Sequence, residues 1–437
     1  MVKLYDSRTK QLVEINEHDV SIYNCGPTVY NHIHIGNARP LITFDVLNRL
    51  FLYLQKEVKY VLNITDIDDK IIQAAKNEHI SELELSNYYT EQYFLIKQKL
   101  NVLPMINPKV SDNIQGIIEY INQLVDKKVG YFAADGDVYF DVAQIKNYGC
   151  VSHQNPDELI VGARVQKDEN KRHPQDFVLW KKTQDGIQWD SPWFRGRPGW
   201  HTECAYLINN LIGPQVTIHG GGMDLKFPHH ENENAQNEAL FGCSLAKVWM
   251  HVGMINIDNE KMSKSLNNFI LVKDILEKYS YQALRWFFYQ SGYANPLNYS
   301  DMMMNQMEEE INKFKQSINQ AKSLLVLANQ QIEFNHKIIN HNVIEHLSDN
   351  LNLINAITEM YALNKKLNVA IRQKNIQDVS LLLNELTSTL DLLGINFVNL
   401  HNEKVISLLH EWNNYQQNKE YDEADKLRQL LVDKGVL

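Results

Sequence analysis

Three short segments carry residue types that could do chemistry. In Pro228-His229-His230-Glu231-Asn232-Glu233, His229 and Glu233 stand four apart, so on a helix they share one face and can share a metal ion. A zinc-protease reading fails, because Asn234 stands where a second histidine should follow His230-Glu231. Further ligands are at hand in Cys25, at the end of a strand-like run, and Cys204, just after Trp200-His201-Thr202-Glu203. Two thiolates, an imidazole and a carboxylate make a sound zinc shell, although spacing alone does not choose between His229 and His230. The second segment is His34-Ile35-Gly36-Asn37, between a strand candidate and a helix. Backbone N–H groups at a helix start attract phosphate, glycine permits close approach, and His and Asn can donate to phosphate oxygens. The third, Lys261-Met262-Ser263-Lys264-Ser265, offers two amines and two hydroxyls on a loop, enough to clamp a polyphosphate. Taken singly, a turn histidine or a lysine pair is usually only solvated.

Such groups need a scaffold. Val20–Cys25, Val58–Ile64, Val216–His219 and Val248–Ile257 read as strands, and Leu41–Leu54 reads as a helix. Strands separated by helical stretches predict an α/β domain with a mostly parallel sheet. Gly220-Gly221-Gly222 reads as a turn after the third strand. About 150 residues separate strands two and three, far more than one crossover needs, so roughly 105–195 is expected to be an inserted subdomain. Within it, Tyr131 to Val142 predicts a hairpin turning at Asp135-Gly136, and Trp189 to Trp200 reads as irregular structure. Ser81–Leu103 reads as a long helix. From Asp301 onward proline is absent and glycine waits until Gly394, predicting bundle helices over Met302–Ala328, Val343–Gln373, Ile376–Leu393 and Tyr421–Val432.

Composition excludes several classes. With 437 residues, 44% hydrophobic and 22% charged, the chain can bury cores for several domains and is neither collagenous nor disordered. No apolar run approaches the length of a membrane span, and the first residues lack the apolar stretch of a signal peptide. Four cysteines are too few for a disulfide framework, which predicts a reducing cytoplasm. The net charge is −10, and residues 301–437 hold 13 basic against 18 acidic residues, so bulk charge argues against a nucleic-acid partner.

Motifs argue the other way. His34-Ile35-Gly36-Asn37 together with Lys261-Met262-Ser263-Lys264-Ser265 resembles the paired signatures of class I aminoacyl-tRNA synthetases. Asn24-Cys25-Gly26-Pro27-Thr28-Val29-Tyr30, Asn63-Ile64-Thr65-Asp66-Ile67-Asp68-Asp69-Lys70, Lys171–Leu179, Gly199-Trp200-His201-Thr202-Glu203-Cys204 and His219-Gly220-Gly221-Gly222-Met223-Asp224 resemble the cysteinyl-tRNA synthetase family in order and spacing. The resemblance runs from the first residues to about Ser300, and more loosely beyond.

It implies an α/β fold: a Rossmann-like catalytic domain with an inserted subdomain, followed by an α-helical bundle. The catalytic halves would be 1–104 and 196–250, around a connective insert at 105–195. A signature-loop and stem-contact region would follow at 251–300, and a helical anticodon-binding region at 301–437. One Zn²⁺ per chain would be held by Cys25, Cys204, His229 and Glu233, so here the resemblance chooses His229. His34, Asn37, Lys261 and Lys264 would be catalytic. Gly36, Gly222, Asp224 and Lys264 would bind ATP, which enters with Mg²⁺. Thr65, Trp200 and His219 would bind the amino acid, and Cys150 and Cys243 would be incidental thiols. The implied partners are L-cysteine, ATP and tRNA(Cys), handled by a cytoplasmic monomer. Asn37 stands where many members carry histidine, and still donates a hydrogen bond. The sequence stops at Gly435-Val436-Leu437, where longer members add a strand-forming tail. The rival readings are the related ligase that joins cysteine to an amino sugar, which needs no anticodon helices, and a catalytically silent tRNA-binding paralog.

Overall fold

The computed structural model describes residues 1–154, 170–261, 268–330 and 338–436. At its centre is a four-stranded sheet in the order Ala246–Val252, Val216–Gly222, Asp19–Asn24, Glu57–Leu62. Every pairing is parallel, with Ile22 opposite both Tyr60 and Ile218. Side chains alternate across it as strand geometry requires. Ile22, Tyr60, Val248 and Met250 join one apolar core, while Tyr23, Val61 and Trp249 join another on the opposite face. A sheet covered on both faces explains why its strands read as continuous apolar runs.

From strand Asp19–Asn24 the chain crosses through helix Ile35–Tyr53 to one side, and from Val216–Gly222 it crosses to the other. Such a switch point opens a crevice at the carboxyl ends of the strands. Two glycines let the backbone close up there. A Cβ on Gly26 would lie 1.6 Å from the Asn63 carbonyl oxygen, and one on Gly220 would lie 1.8 Å from that of Met250.

Several elements differ from expectation. The third strand runs through all three glycines to Gly222, paired with Met250–Val252, so they are strand and not turn. The fourth ends at Val252, and Ile255–Ile257 belongs to a separate three-stranded sheet with Glu260–Lys261 and Leu297–Tyr299. The first helix begins at Ile35, six residues before the apolar periodicity reveals it. Ser81–Leu103 holds as helix Glu82–Lys99, capped by Ser81.

A second, antiparallel sheet is built from Gly130–Phe132, Val138–Phe140, Phe177–Lys182 and Gly196–Pro198. Its first two strands form the expected hairpin, with Gly136 at φ +93°. Its last strand lies in the stretch read as irregular. Helix Ile114–Asp126 packs beneath the sheet through Ile117, Ile118 and Ile121.

The helical region comprises Asp301–Leu327, His341–Ser348, Leu353–Gln373, Ile376–Leu392, Glu403–Gln417 and Tyr421–Asp433. The expected helix Val343–Gln373 is two helices, because Asn350 and Leu351 take φ +56° and +49°. Asn352 then caps the second helix, accepting from the Asn355 N–H. The helix Glu403–Gln417 is an addition to those expected. Val343, Leu347, Met360, Leu386 and Leu390 lie in the same apolar core as helix Ile35–Tyr53.

A buried ionic joint locks this seam. Asp45, on helix Ile35–Tyr53, accepts from Arg285 Nη2 at 2.5 Å, Arg49 Nε at 2.9 Å and the Leu103 N–H at 2.8 Å. Arg285, wholly buried, also donates to the carbonyls of Leu100 and Leu393. Among the described residues, no helix is long and apolar enough to cross a membrane.

Candidate active site

Three distant segments meet at the carboxyl edge of the parallel sheet. Cys25 follows its strand, and Cys204 lies in helix Trp200–Leu211. His229 sits in the irregular turn Lys226–His230, and Glu233 in the first turn of helix Glu231–Phe241. That helix starts two residues later than the His229–Glu233 spacing implied, yet the two side chains still meet, Nε2 to Oε1 at 2.8 Å. Cys25 Sγ lies 3.8 Å from Cys204 Sγ and 3.5 Å from Glu233 Oε1.

The ligand atoms of Cys25, Cys204, His229 and Glu233 all fall within 4.8 Å of one another, close enough to share an ion. A second set, Cys25, His219, His230 and Glu233, meets the same limit. Two soft thiolates with one imidazole and one carboxylate suit zinc; the second set has a single sulfur. Cys150 and Cys243 belong to neither group.

Electrostatics fit a cation site. Burial alone would push the Cys204 thiol up, but its contacts with Cys25 and His229 bring it down to about 7. Burial raises Cys25 well above an ordinary thiol, and its neighbour Cys204 raises it further. Burial would also raise Glu233, yet His229 and His219 hold its carboxyl well below the usual range. His229, opposed by burial, is lifted to about 10 by Glu233 and Cys204. A divalent cation entering here would displace protons from thiol and imidazole.

The surrounding shell includes residues that sequence reasoning gave other roles or missed. His219, expected beside the amino acid, is fully buried behind Glu233, with Nε2 2.6 Å from Oε2 and Nδ1 2.9 Å from the Tyr23 carbonyl. That arrangement orients the carboxylate. Trp200 stacks on His229 with centroids 4.0 Å apart, and keeps 38% of its surface exposed. Asn63 links three parts: it accepts from the Gly26 N–H, lies 3.7 Å from Cys204 Sγ and donates to Thr65 Oγ1. Thr65 in turn donates to Glu203 at 3.3 Å. His230 lies 3.4 Å from Cys25 Sγ and 2.8 Å from His251, whose other nitrogen meets Ser7. His251, Ser7 and Asn63 carry no spacing signal, because only sheet pairing and the N-terminal hairpin of strands Val2–Asp6 and Gln11–Ile15 bring them in.

The segments expected from the sequence to hold phosphate lie near the same edge. His34 is the N-cap of helix Ile35–Tyr53, and the exposed Asn37 side chain accepts from the His34 N–H at 3.2 Å. Gly36 is in that first turn. The Ile35 N–H donates to the Ile270 carbonyl and the Val272 N–H to that of Ile33, tying this turn to one flank of the lysine loop. Lys261, on the other flank, ends the strand paired with Asn256. Its side chain and all of Lys264 lie outside the described residues. Gly222 closes its strand, and exposed Asp224 follows in the short turn Met223–Leu225.

Comparison with known proteins agrees with this architecture. Residues 11–309 match the family described as the tRNA synthetases class I (C) catalytic domain. Cysteine–tRNA ligase of Ureaplasma parvum is 54% identical, covering all of both chains. The one from Clostridioides difficile is 40% identical over all of this chain and 97% of its own. Methionyl-tRNA synthetase of Mycobacterium tuberculosis superposes with a TM-score of 0.62 over 90% of each chain at 15% identity, a likeness of fold. A parallel sheet with this site on its carboxyl edge, and identity at this level over full length, place the chain in the cysteine–tRNA ligase family of class I synthetases.

Proposed function

We propose that the protein ligates L-cysteine to tRNA(Cys) in the cytoplasm, acting as a monomer. The observation that carries this reading is the convergence of Cys25, Cys204, His229 and Glu233 beside a helix start suited to phosphate. Cysteine carboxylate attacks the α-phosphorus of ATP, entering with Mg²⁺, and pyrophosphate leaves. A hydroxyl of the terminal tRNA ribose then attacks the carbonyl of the adenylate, and AMP leaves.

Cys25, Cys204, His229 and Glu233 would hold one Zn²⁺, an ion whose affinity for soft sulfur would favour the thiolate of cysteine over the harder hydroxyl of serine. Discrimination of about 10⁴ needs only about 5.5 kcal/mol, so a separate editing domain is unnecessary. Trp200 and Thr65 wall the amino acid, with His219 fixing Glu233 from behind. Gly36 and Gly222 let the nucleotide approach the backbone, and Asp224 takes its ribose. His34, Asn37, Lys261 and Lys264 stabilise charge developing on the phosphates, where most of the rate arises. Cysteine-dependent ATP–pyrophosphate exchange, followed by charging of tRNA against glucosaminyl-inositol as acceptor, tests the reading. Exchange with transfer to the sugar alone would overturn it.

Lys264→Ala is expected to slow adenylate formation by about 10²–10³-fold with little change in the KM for ATP, because its charge meets pyrophosphate chiefly in the transition state. A variant whose only defect was a raised KM would count against transition-state clamping.

The helices after Asp301 are proposed to grip tRNA, but they are not one detachable unit. Cutting at Ser300 would strip Leu386, Leu390 and Leu393 from the shared core and remove the carbonyl that Arg285 holds. That fragment is expected to lose adenylate formation and solubility together. The last two helices instead close a small core of Val405, Leu409, Leu431 and Val436. A chain ending at Asn399 is expected to keep pyrophosphate exchange while tRNA charging at limiting tRNA falls at least about tenfold, a loss of about 1.4 kcal/mol in binding. Unimpaired charging by that chain would remove the last helices from the tRNA site.

A further inference from the structure

Away from its carboxyl edge, the parallel sheet carries an unpaired stretch of backbone. Glu57–Leu62 is an edge strand, and the chain after Pro104 runs beside only its second half. There Ile106 sits opposite Val61. Its N–H donates to the Tyr60 carbonyl at 3.0 Å, and its carbonyl accepts from the Leu62 N–H at 2.9 Å. Two residues back in that register, Pro104 falls opposite Lys59. Proline has no N–H, so it cannot give the Val58 carbonyl the donor that a ladder would supply. Among the described residues, no backbone carbonyl takes the Tyr60 N–H either. An acceptor and a donor, two residues apart, therefore face outward side by side.

They open on a cavity of about 780 Å³ with apolar walls of Leu52, Val58, Met105, Ile106 and Ile212. Asn48, on helix Ile35–Tyr53, also lines it, is only 4% exposed, and among the described residues its amide makes no hydrogen bond. A buried amide without a partner is costly, and a ligand that pairs with it recovers that cost. The rim disfavours anions: Asp19 and Glu57 are exposed there, while the Lys59 amine is tied to the Leu211 carbonyl. An apolar cavity with a few convergent polar groups suits a small, flat, uncharged molecule. Adenine fits the pattern offered. Its N6–H and N1 are a donor beside an acceptor, and an asparagine amide complements its N6 and N7.

We propose that this cavity binds an uncharged adenine base or nucleoside at the amino half of the sheet. One N6–H is donated to the Val58 carbonyl, N1 accepts from the Tyr60 N–H, and the Asn48 amide takes the second N6–H and N7. The two carboxylates at the rim select against phosphorylated forms. The site thus differs in place and in charge from the nucleotide site proposed at the carboxyl edge, and it does not depend on which amino acid the protein activates.

The test is calorimetric titration of adenosine into the full-length protein, held in saturating MgATP without cysteine so that the nucleotide site is filled and cannot turn over. One adenosine per chain is expected to bind under these conditions. Inosine reverses donor and acceptor at positions 6 and 1, and is expected to bind at least about tenfold more weakly. Asn48→Leu is expected to weaken adenosine by about tenfold while the KM for ATP in pyrophosphate exchange stays at its wild-type value. Loss of all adenosine binding in MgATP, inosine binding as tightly as adenosine, or unaltered affinity in Asn48→Leu would each overturn the proposal. Should that variant fold poorly, Leu52→Trp fills the cavity from a side chain that is already half-exposed. It is expected to abolish adenosine binding, and retained binding there would also overturn the site. The inosine comparison needs no variant at all.

Discussion

Cys204→Ser should cost the protein its zinc and most of its cysteine activation. The substitution exchanges a thiolate that the site brings down to about 7 for a hydroxyl that does not ionise near neutrality. Outer-shell changes at zinc sites already cost about 10–100-fold in affinity, so losing a direct sulfur donor should exceed about 100-fold. The KM for cysteine should rise far more than that for ATP, since the amino acid, and not the nucleotide, is proposed to reach this centre. Full zinc content with normal cysteine affinity in the variant would sink the ligand assignment. Cys150→Ser is the matched control. Burial chiefly, and Glu231 next, push that thiol up to about 12, and its sulfur faces the Asn234 amide. Zinc stoichiometry should therefore be unchanged.

The second large effect is expected far from the chemistry, at the joint beneath helix Ile35–Tyr53. Asp45→Asn leaves two guanidinium groups, Arg49 and Arg285, 8% and 0% exposed, facing a neutral amide. Removing one partner from a buried ion pair typically costs about 3–5 kcal/mol, because the stranded charge cannot be rehydrated. The urea midpoint should fall accordingly. Further replacing Arg285 with methionine should recover part of that loss, since the double variant no longer buries an unpaired charge at that position. An unchanged midpoint in Asp45→Asn would show that the carbonyl contacts, with Asp391 3.9 Å from Arg49, sustain the two arginines without Asp45. Because His34 caps the start of the same helix, partial loosening should also reach the proposed nucleotide end, and exchange rates in the variant would register it.

How much of this was written in the sequence differs from element to element. The parallel strands were legible because a sheet covered on both faces must present unbroken apolar runs, and the 131–142 hairpin because Asp-Gly marks a turn. The break at Asn350-Leu351 was not, since neither glycine nor proline stands there and the apolar spacing continues across it. For the site, residue types alone pointed to thiolate, imidazole and carboxylate donors. Spacing within one segment joined His229 to Glu233. It could not join either to Cys25, some 200 positions away, and that link came from resemblance.

By itself, then, the sequence determined the chemistry on offer: which groups can bind metal, which can bind phosphate, and which local runs become strands or helices. These depend on side-chain type and on contacts a few residues apart. The tertiary structure decided everything set by long-range pairing. It drew Cys204 to within 3.8 Å of Cys25, turned His219 away from solvent and onto Glu233, and left Glu203 buried with a threonine for company. It also made the helices of 301–395 part of the catalytic core. The reason is physical: hydrophobic burial is non-directional and roughly proportional to area, so a sequence pattern says that a face must be covered but not by which other face. Only the packed fold supplies that partner, and with it the distances on which the chemistry depends.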